Sequence, residues 1–494
     1  MTTLPLLSLI LPGTDTPEQR KITLKPLSIL KSYTQLILLP GVSIPEGFPH
    51  VVTLEGEPPV GLAQLINCAL PQAQGVFLAV APPGLNIAID LFMALSRSAK
   101  DDTDYIYGDY FQESPEKSSP VLSQVAPGDI TEREDWGPLE FYRVEALRRI
   151  GGADESLRFR PDYDLRLKLT QDRPATRLDT VFYTVPQTQS QDTAAASALF
   201  FPGRGKFGGF SYLFMDPAEE KEIEEIFYRF LQRTGAWLEA PTGNRFAPGP
   251  GTSPRVSVVI PIHNRAGFLP LSVGSVQRGT FQDFEIIIVD NASTDDTLDA
   301  ARDLAAQDPR IRVLSLPDNV IAKALNAGVR EARGEYVAQL DSDDEYTPDT
   351  LASAVRHLDE HPEEGLAISY YELMDPEGKT LEEFGVIKHL EYNRNNILRV
   401  DGAGAVRVWR RAAILEFGGF NEQDFGHYGE DYDLVLKVGE KYEVGRIHEV
   451  LYRYRRHPGN SDVLRAHEMK ILNKTLARQR ALERRRAINR KGVA

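Results

Sequence analysis

The sequence predicts an α/β protein of two tandem domains, each an open, mostly parallel sheet of Rossmann-like type with helices packed against it. Three observations predict this. The chain has 494 residues, beyond the roughly 250–300 at which a single core stops growing. It repeats itself at a spacing of roughly 250–270 residues, a duplication and not a solenoid. Strand-length apolar runs alternate with segments of helical spacing, the pattern of a sheet covered on both faces.

The repetition consists of four matches in the same order. Leu7-Ser-Leu-Ile-Leu-Pro12 parallels Val256-Ser-Val-Val-Ile-Pro261. The segment from Leu62 to Gly75 parallels the one from Ile321 to Gly334, and Arg143–Gly152 parallels Arg410–Gly419. Last, Asp162-Tyr-Asp-Leu-Arg-Leu-Lys-Leu169 parallels Asp431-Tyr-Asp-Leu-Val-Leu-Lys-Val438. Between the copies, Asp216–Glu239 carries Ile223, Ile226, Phe227, Phe230 and Leu231 at helical spacing, and a Pro/Gly-rich linker follows from Ala240 to Gly251. The expected division is 1–200, a connecting segment 201–254, a second domain 255–460 and a basic C-terminal helix 461–494.

In the second domain Val256–Ile260 and Glu285–Val289 read as buried strands. Thr297–Gln307 reads as a helix capped by Asp295 or Asp296. Arg310–Leu314, a helix over Ala322–Arg333 and the strand Tyr336–Leu340 continue the alternation. Ligands of such sheets sit beyond the carboxyl ends of the strands.

Composition narrows the function classes. The formal charge of −15 opposes wholesale nucleic-acid binding, which needs the opposite sign. A lone cysteine, Cys68, excludes an intramolecular disulfide and a cysteine metal cluster, and it reads as a small buried apolar residue. The N-terminal apolar run lacks a basic region and reads as a strand, and no apolar stretch nears the ~20 residues that span a bilayer. A cytoplasmic protein is expected.

Three polar clusters fall at strand ends. They are Pro261-Ile-His-Asn264, Asp290 in Val289-Asp-Asn-Ala-Ser-Thr294, and Asp341-Ser-Asp-Asp344. Alternate carboxylates at Asp341 and Asp343 can converge on one hard cation, leaving positions for phosphate oxygens, although such a turn can also serve only as a helix cap. Glu430 and Asp431 stand at the start of a helix. Asp431 is the candidate general base with Glu430 the alternative, and a helix-dipole role is the plainer reading of both. His457 follows a strand beside Arg453, Arg455 and Arg456, which could face a phosphate.

Together these segments resemble the family 2 glycosyltransferases, whose fold is the nucleotide-sugar-binding GT-A type. The matching pieces are Val256–Pro261, Ile288–Ser293, Gly334–Asp344, Gly418-Gly-Phe420, Gly429–Asp433 and the Tyr-Arg-x-x-x-His-Pro stretch ending at Pro458. The resemblance implies two tandem GT-A-like domains and an inverting transfer from a nucleotide-sugar donor, of UDP type, with Mg2+ or Mn2+. It implies that Asp290 contacts the base or ribose and Pro261 lines the base pocket. Asp341 and Asp343 would be the metal and nucleotide carboxylates, Asp431 the base, and His457 a group near the metal or diphosphate. The family's Gly early in this segment is absent from Asn319–Asn326, its Arg before Asn326 is here Leu325, and Lys323 would substitute as a phosphate contact. The acceptor would be a sugar, a lipid-linked or a protein hydroxyl, in glycan or polysaccharide assembly.

The first copy departs from this pattern. Pro82, Pro83 and Gly84 stand where the second copy has Asp341, Ser342 and Asp343, with Pro40 opposite Asp290, Pro161 opposite Glu430 and Thr188 opposite His457. It is expected to be a degenerate copy without a metal site. The C-terminal segment, with Arg478, Arg480, Arg484, Arg485, Arg486 and Arg490, suggests peripheral contact with anionic lipid at the inner face of the membrane. The rival to an enzyme is an inactive carbohydrate-binding or scaffold protein built from two such domains.

Overall fold

The computed structural model describes residues 5–492 except 44–45, 100–101, 114–117, 122–124, 127, 179, 187–214, 248–250 and 252. The chain divides into two compact units. The first comprises the described residues of 1–192 with Met215–Phe230, and the second the described residues from Leu231 onward. The helix Pro217–Arg233, read from sequence as part of a connector, thus belongs mostly to the first unit. Its Glu222 accepts the backbone N–H groups of Arg158, Phe159 and Arg160 there. Thr188 lies outside the described residues.

In the first unit, seven strands form the main sheet: β1 (Leu7–Leu11), β2 (Thr34–Leu38), β3 (Val51–Thr53), β4 (Phe77–Val80), β5 (Tyr105–Gly108), β6 (Phe141–Arg143) and β7 (Thr176–Leu178). Their order is β3-β2-β1-β4-β6-β5-β7. Only β6 runs antiparallel to its neighbours.

In the second unit the corresponding strands are β8 (Val256–Ile262), β9 (Phe284–Asn291), β10 (Ile311–Leu316), β11 (Tyr336–Gln339), β12 (Glu364–Met374), β13 (Arg407–Arg410) and β14 (Glu443–Arg455). They run β10-β9-β8-β11-β13-β12-β14, again with only the fifth strand in that order, β13, antiparallel. Order and direction are therefore the same in both sheets.

Local contacts repeat as well. The Ser8 hydroxyl donates to Gln35 at 2.6 Å and accepts the Gly75 N–H at 2.9 Å. Ser257 does the same with Glu285 at 2.7 Å and Gly334 at 2.9 Å. Asn67, on α1 (Gly61–Ala69), brackets the backbone of Ala153 and donates to Glu155. Asn326, on α3 (Ile321–Glu331; α2 is Pro161–Leu169), brackets Phe420 and donates to Glu422. Both asparagines press against a left-handed glycine, Gly152 at φ 84° and Gly419 at φ 87°, where a side chain would collide.

The elements follow from their residues. Val256–Ile262 and Phe284–Asn291 are rich in Val and Ile and buried along their whole length, as central parallel strands are. Each such side chain contributes about 1.5–3 kcal/mol on burial. Helix α3 lies on β8 so closely that a Cβ on Gly328 would meet Val259. Cys68 is exposed, contrary to the expectation of burial, because α1 buries Ala63, Leu65, Ile66 and Ala69 and turns position 68 outward. Among the described residues no helix is long and apolar enough to cross a membrane.

The last two helices used below are α4 (Glu430–Lys441) and α5 (His467–Gly492). Five arginines of α5 are engaged within the second unit. Arg478 donates to the Leu398 carbonyl, Arg480 pairs with Asp424, and Arg484 with Glu440. Arg485 is fully buried against Asn395, and Arg486 donates to the Thr234 carbonyl. These contacts pack the helix onto the unit, while Arg490 and Lys491 at its end are exposed.

Candidate active site

The carboxyl ends of β8, β9 and β11 bring three of the expected clusters together. Asp290 is buried at the end of β9 and accepts the Ser315 hydroxyl at 3.2 Å and the Ser293 N–H at 3.3 Å. Pro261 is buried in β8, in register with Val289, one residue before the Ile262–Asp290 pair. Asp341 stands two residues after β11, and its N–H donates to the Tyr452 hydroxyl at 3.3 Å.

Asp343 is tied to the end of β14. The imidazole of His457 lies with Nε2 at 2.9 Å from Asp343 Oδ2. Because His457 Nδ1 accepts the Gly459 N–H at 3.1 Å, the ring proton sits on Nε2 and is donated to the carboxylate. The ring stacks on Phe268 at 4.9 Å. Arg265 reaches Asp343 at 3.4 Å with Nε and donates to the Gly459 carbonyl at 2.5 Å with Nη2. Asp344, fully buried, accepts the Tyr452 hydroxyl at 2.8 Å and the Arg455 N–H at 2.7 Å, which fixes the turn onto β14.

The electrostatics of the cluster are those of crowded acids. Burial, and after it the charge of Asp343, pushes the Asp341 carboxyl up to about 6, and Asp431 adds to the rise while Arg407 opposes it. For Asp343 burial acts upward too, but the His457 hydrogen bond and the Arg265 charge outweigh it and hold the carboxyl below the usual range. Burial and the Asp431 charge raise Glu430. Glu430 is buried and its Oε2 has no hydrogen-bond partner among the described residues, whereas the Asp431 side chain is 27% exposed. Asp431 pairs with Arg407 at 2.6 Å and accepts the Tyr432 N–H at 2.7 Å.

Several expected residues stand elsewhere. Lys323 is exposed and pairs with Asp318 at 2.8 Å, making no contact with the acidic cluster. The arginines beside His457 do not face an open phosphate site. Arg453 pairs with Glu372 and Glu345, Arg455 is buried on Glu345 and the Asp343 carbonyl, and Arg456 is buried on Asp462. Arg265 and Arg407 instead pair with the carboxylates of the cluster, Asp343 and Asp431. Sequence reasoning passed over Arg265, although it stands directly after the strand-end Asn264. Arg407 opens a strand 24 positions before its partner in sequence, and only the tertiary pairing reveals it.

Residues 257–416, less than half of the chain, match the family model for Glycosyl transferase family 2. Among curated relatives, a chondroitin synthase of Pasteurella multocida is 29% identical over 46% of this chain and 24% of its own length. A GalNAc(5)-diNAcBac-PP-undecaprenol beta-1,3-glucosyltransferase of Campylobacter jejuni is 32% identical over 41% of this chain and 65% of its own. The chain spans about a quarter of the length of the Pasteurella synthases it matches. Of solved structures, S. aureus TarS 1-349 in complex with UDP-GlcNAc is 20% identical, with a TM-score of 0.37, over 43% of this chain and 61% of that one.

Proposed function

We propose that residues 255–460 are an inverting glycosyltransferase that moves a sugar from a nucleotide-diphosphate donor, UDP-type favoured, to a hydroxyl acceptor in glycan or polysaccharide assembly. The observation that carries this reading is the convergence of Asp341, Asp343 and the Arg407–Asp431 pair in one electrostatic cluster at the strand ends. The names of the relatives, which include glycan synthases, support the substrate class.

The residues fit a divalent cation. Asp341 and Asp343 raise one another's cost of ionisation, which a cation relieves, and oxygen donors suit Mg2+ or Mn2+. Among the described residues no three His, Cys, Asp or Glu side chains make a ready cage. A cation that shares its shell with phosphate oxygens needs only one or two protein carboxylates. Asp343 would hold it with Asp341 beside it, and when bound it would neutralise charge developing on the leaving diphosphate. His457 orients Asp343 through its Nε2–H.

Asp431 is the general base. It is the accessible carboxylate of the pair, while Glu430 is buried and driven toward its protonated form. The acceptor oxygen attacks the anomeric carbon, its proton passes to Asp431, and the bond to the diphosphate breaks with the electron pair leaving on the nucleotide. Attack opposite the leaving group inverts the anomeric centre. Residues 1–200 are read as a degenerate copy of the domain, supported by the shared strand order and the repeated Ser and Asn contacts. The test is release of nucleoside diphosphate from a set of UDP- and GDP-sugars. Loss of turnover in Asp431→Asn with nucleotide binding kept supports an enzyme, and no turnover in the parent supports the scaffold reading.

A further inference from the structure

We propose that Arg407 is a positioning residue that holds the base Asp431 in its working orientation, an inference that rests on Asp431 being the base. Arg407 opens β13, where it is in register with Gln339 of β11 on one side and Ile368 of β12 on the other. Its backbone is therefore fixed between two strands. The guanidinium is anchored at one end, Nε donating to the Ala403 carbonyl at 3.1 Å, and Nη2 meets Asp431 Oδ2 at 2.6 Å.

The other oxygen, Oδ1, accepts the Tyr432 N–H, and the Tyr432 hydroxyl is bonded to the Ile397 carbonyl at 2.8 Å. Each carboxylate oxygen thus has one fixed partner and keeps lone-pair capacity for an acceptor hydroxyl. Arg407 and Asp431 are 18% and 27% exposed, open enough to be reached. The same cation lowers the cost of holding Asp341 and Asp431 in one cluster.

The first unit supplies an independent observation. Phe77 pairs with Arg143 as Tyr336 pairs with Arg410, so the residue in register with Arg407 is Glu140. The helix carboxylate survives there as Asp162, but its cation is Arg160, two residues away on the same segment, at 3.0 Å. The unit that lacks the strand-end acids has reversed the charge at this position while keeping the carboxylate it would hold.

The experiment compares the full chain with Arg407→Gln and Arg407→Lys. It measures nucleoside diphosphate released from UDP-hexoses and UDP-N-acetylhexosamines with water or an alkyl hexoside as acceptor, and titrates UDP in Mn2+. Misaiming the base lowers kcat by about 10–100-fold in Arg407→Gln, with partial recovery in Arg407→Lys and UDP affinity within about threefold of the parent. UDP affinity reports that each variant is folded. A kcat unchanged in Arg407→Gln, or UDP affinity and kcat lost together, overturns the proposal while the parent's turnover stands. A parent that binds UDP but turns over none of these donors overturns the enzyme reading and this proposal with it.

Discussion

His457 and Asp343, 114 positions apart in sequence, meet at 2.9 Å through Nε2 and Oδ2. The contact joins the turn after β11 to the end of β14, so the carboxylate assigned to the metal is aimed by a residue from the far end of the domain. Replacing His457 with Ala is expected to weaken Mn2+-dependent nucleotide binding by about 10–100-fold, the usual cost of losing an orienting partner of a ligand. Titration calorimetry checks this, and an unchanged affinity would remove His457 from the site.

Asp431→Asn keeps the shape of the side chain and removes its proton affinity. Turnover is expected to fall by about 10²–10⁴-fold, with nucleotide binding retained. Glu430→Gln, by contrast, changes a group already driven toward its neutral form, so its effect on rate is expected to be the smaller of the two. Steady-state rates of the two variants decide the assignment. A larger loss for Glu430→Gln would reverse it.

The first unit has a pH response of its own. Burial, and after it the charge of Asp162, raises Glu140 to about 7 from an ordinary value near 4.5, and Tyr142 donates its hydroxyl to it. The folded state therefore keeps a proton that the unfolded state releases. The associated stability is full below about pH 4.5 and is lost as pH rises to about 7. Glu140→Gln retains an acceptor for Tyr142 and removes the titration. Its thermal midpoint is expected to match the parent near pH 4.5 and exceed it at pH 8. Parallel pH curves for the two proteins would contradict this.

Helix α5 is expected to matter through packing. Arg478 donates to the Leu398 carbonyl at 2.8 Å and its guanidinium lies over the ring of Tyr432, the residue after Asp431. Arg478→Ala should destabilise the second unit by about 1–3 kcal/mol, because a buried acceptor loses its charged donor. Chemical denaturation measures it. Co-sedimentation of the parent with anionic vesicles would show that α5 has a lipid-facing role that its internal pairs argue against.

Much of this was legible in the residues. Central parallel strands are buried on both faces, so Val256–Ile262 and Phe284–Asn291 announce themselves as apolar runs. The end of Phe284–Asn291 then locates Asp290, and the end of Tyr336–Gln339 locates Asp341 and Asp343, without any contact information. Cation placement was not legible, because sequence proximity says little about which acid an arginine meets. Arg453 and Arg455 sit beside His457 in the chain yet turn to Glu372 and Glu345, while Lys323 turns to Asp318. The partners of Arg484 and Arg480 in α5, Glu440 and Asp424, were hidden for the same reason, since they lie on distant segments.

Calorimetric titration of UDP, GDP and dTDP into the full chain, with and without Mn2+, beside Asp343→Ala, tests the donor and metal site directly. The expected result is metal-dependent binding of one nucleotide, UDP favoured, that Asp343→Ala abolishes. Absence of binding by any of the three, or binding indifferent to both Mn2+ and Asp343, would contradict it.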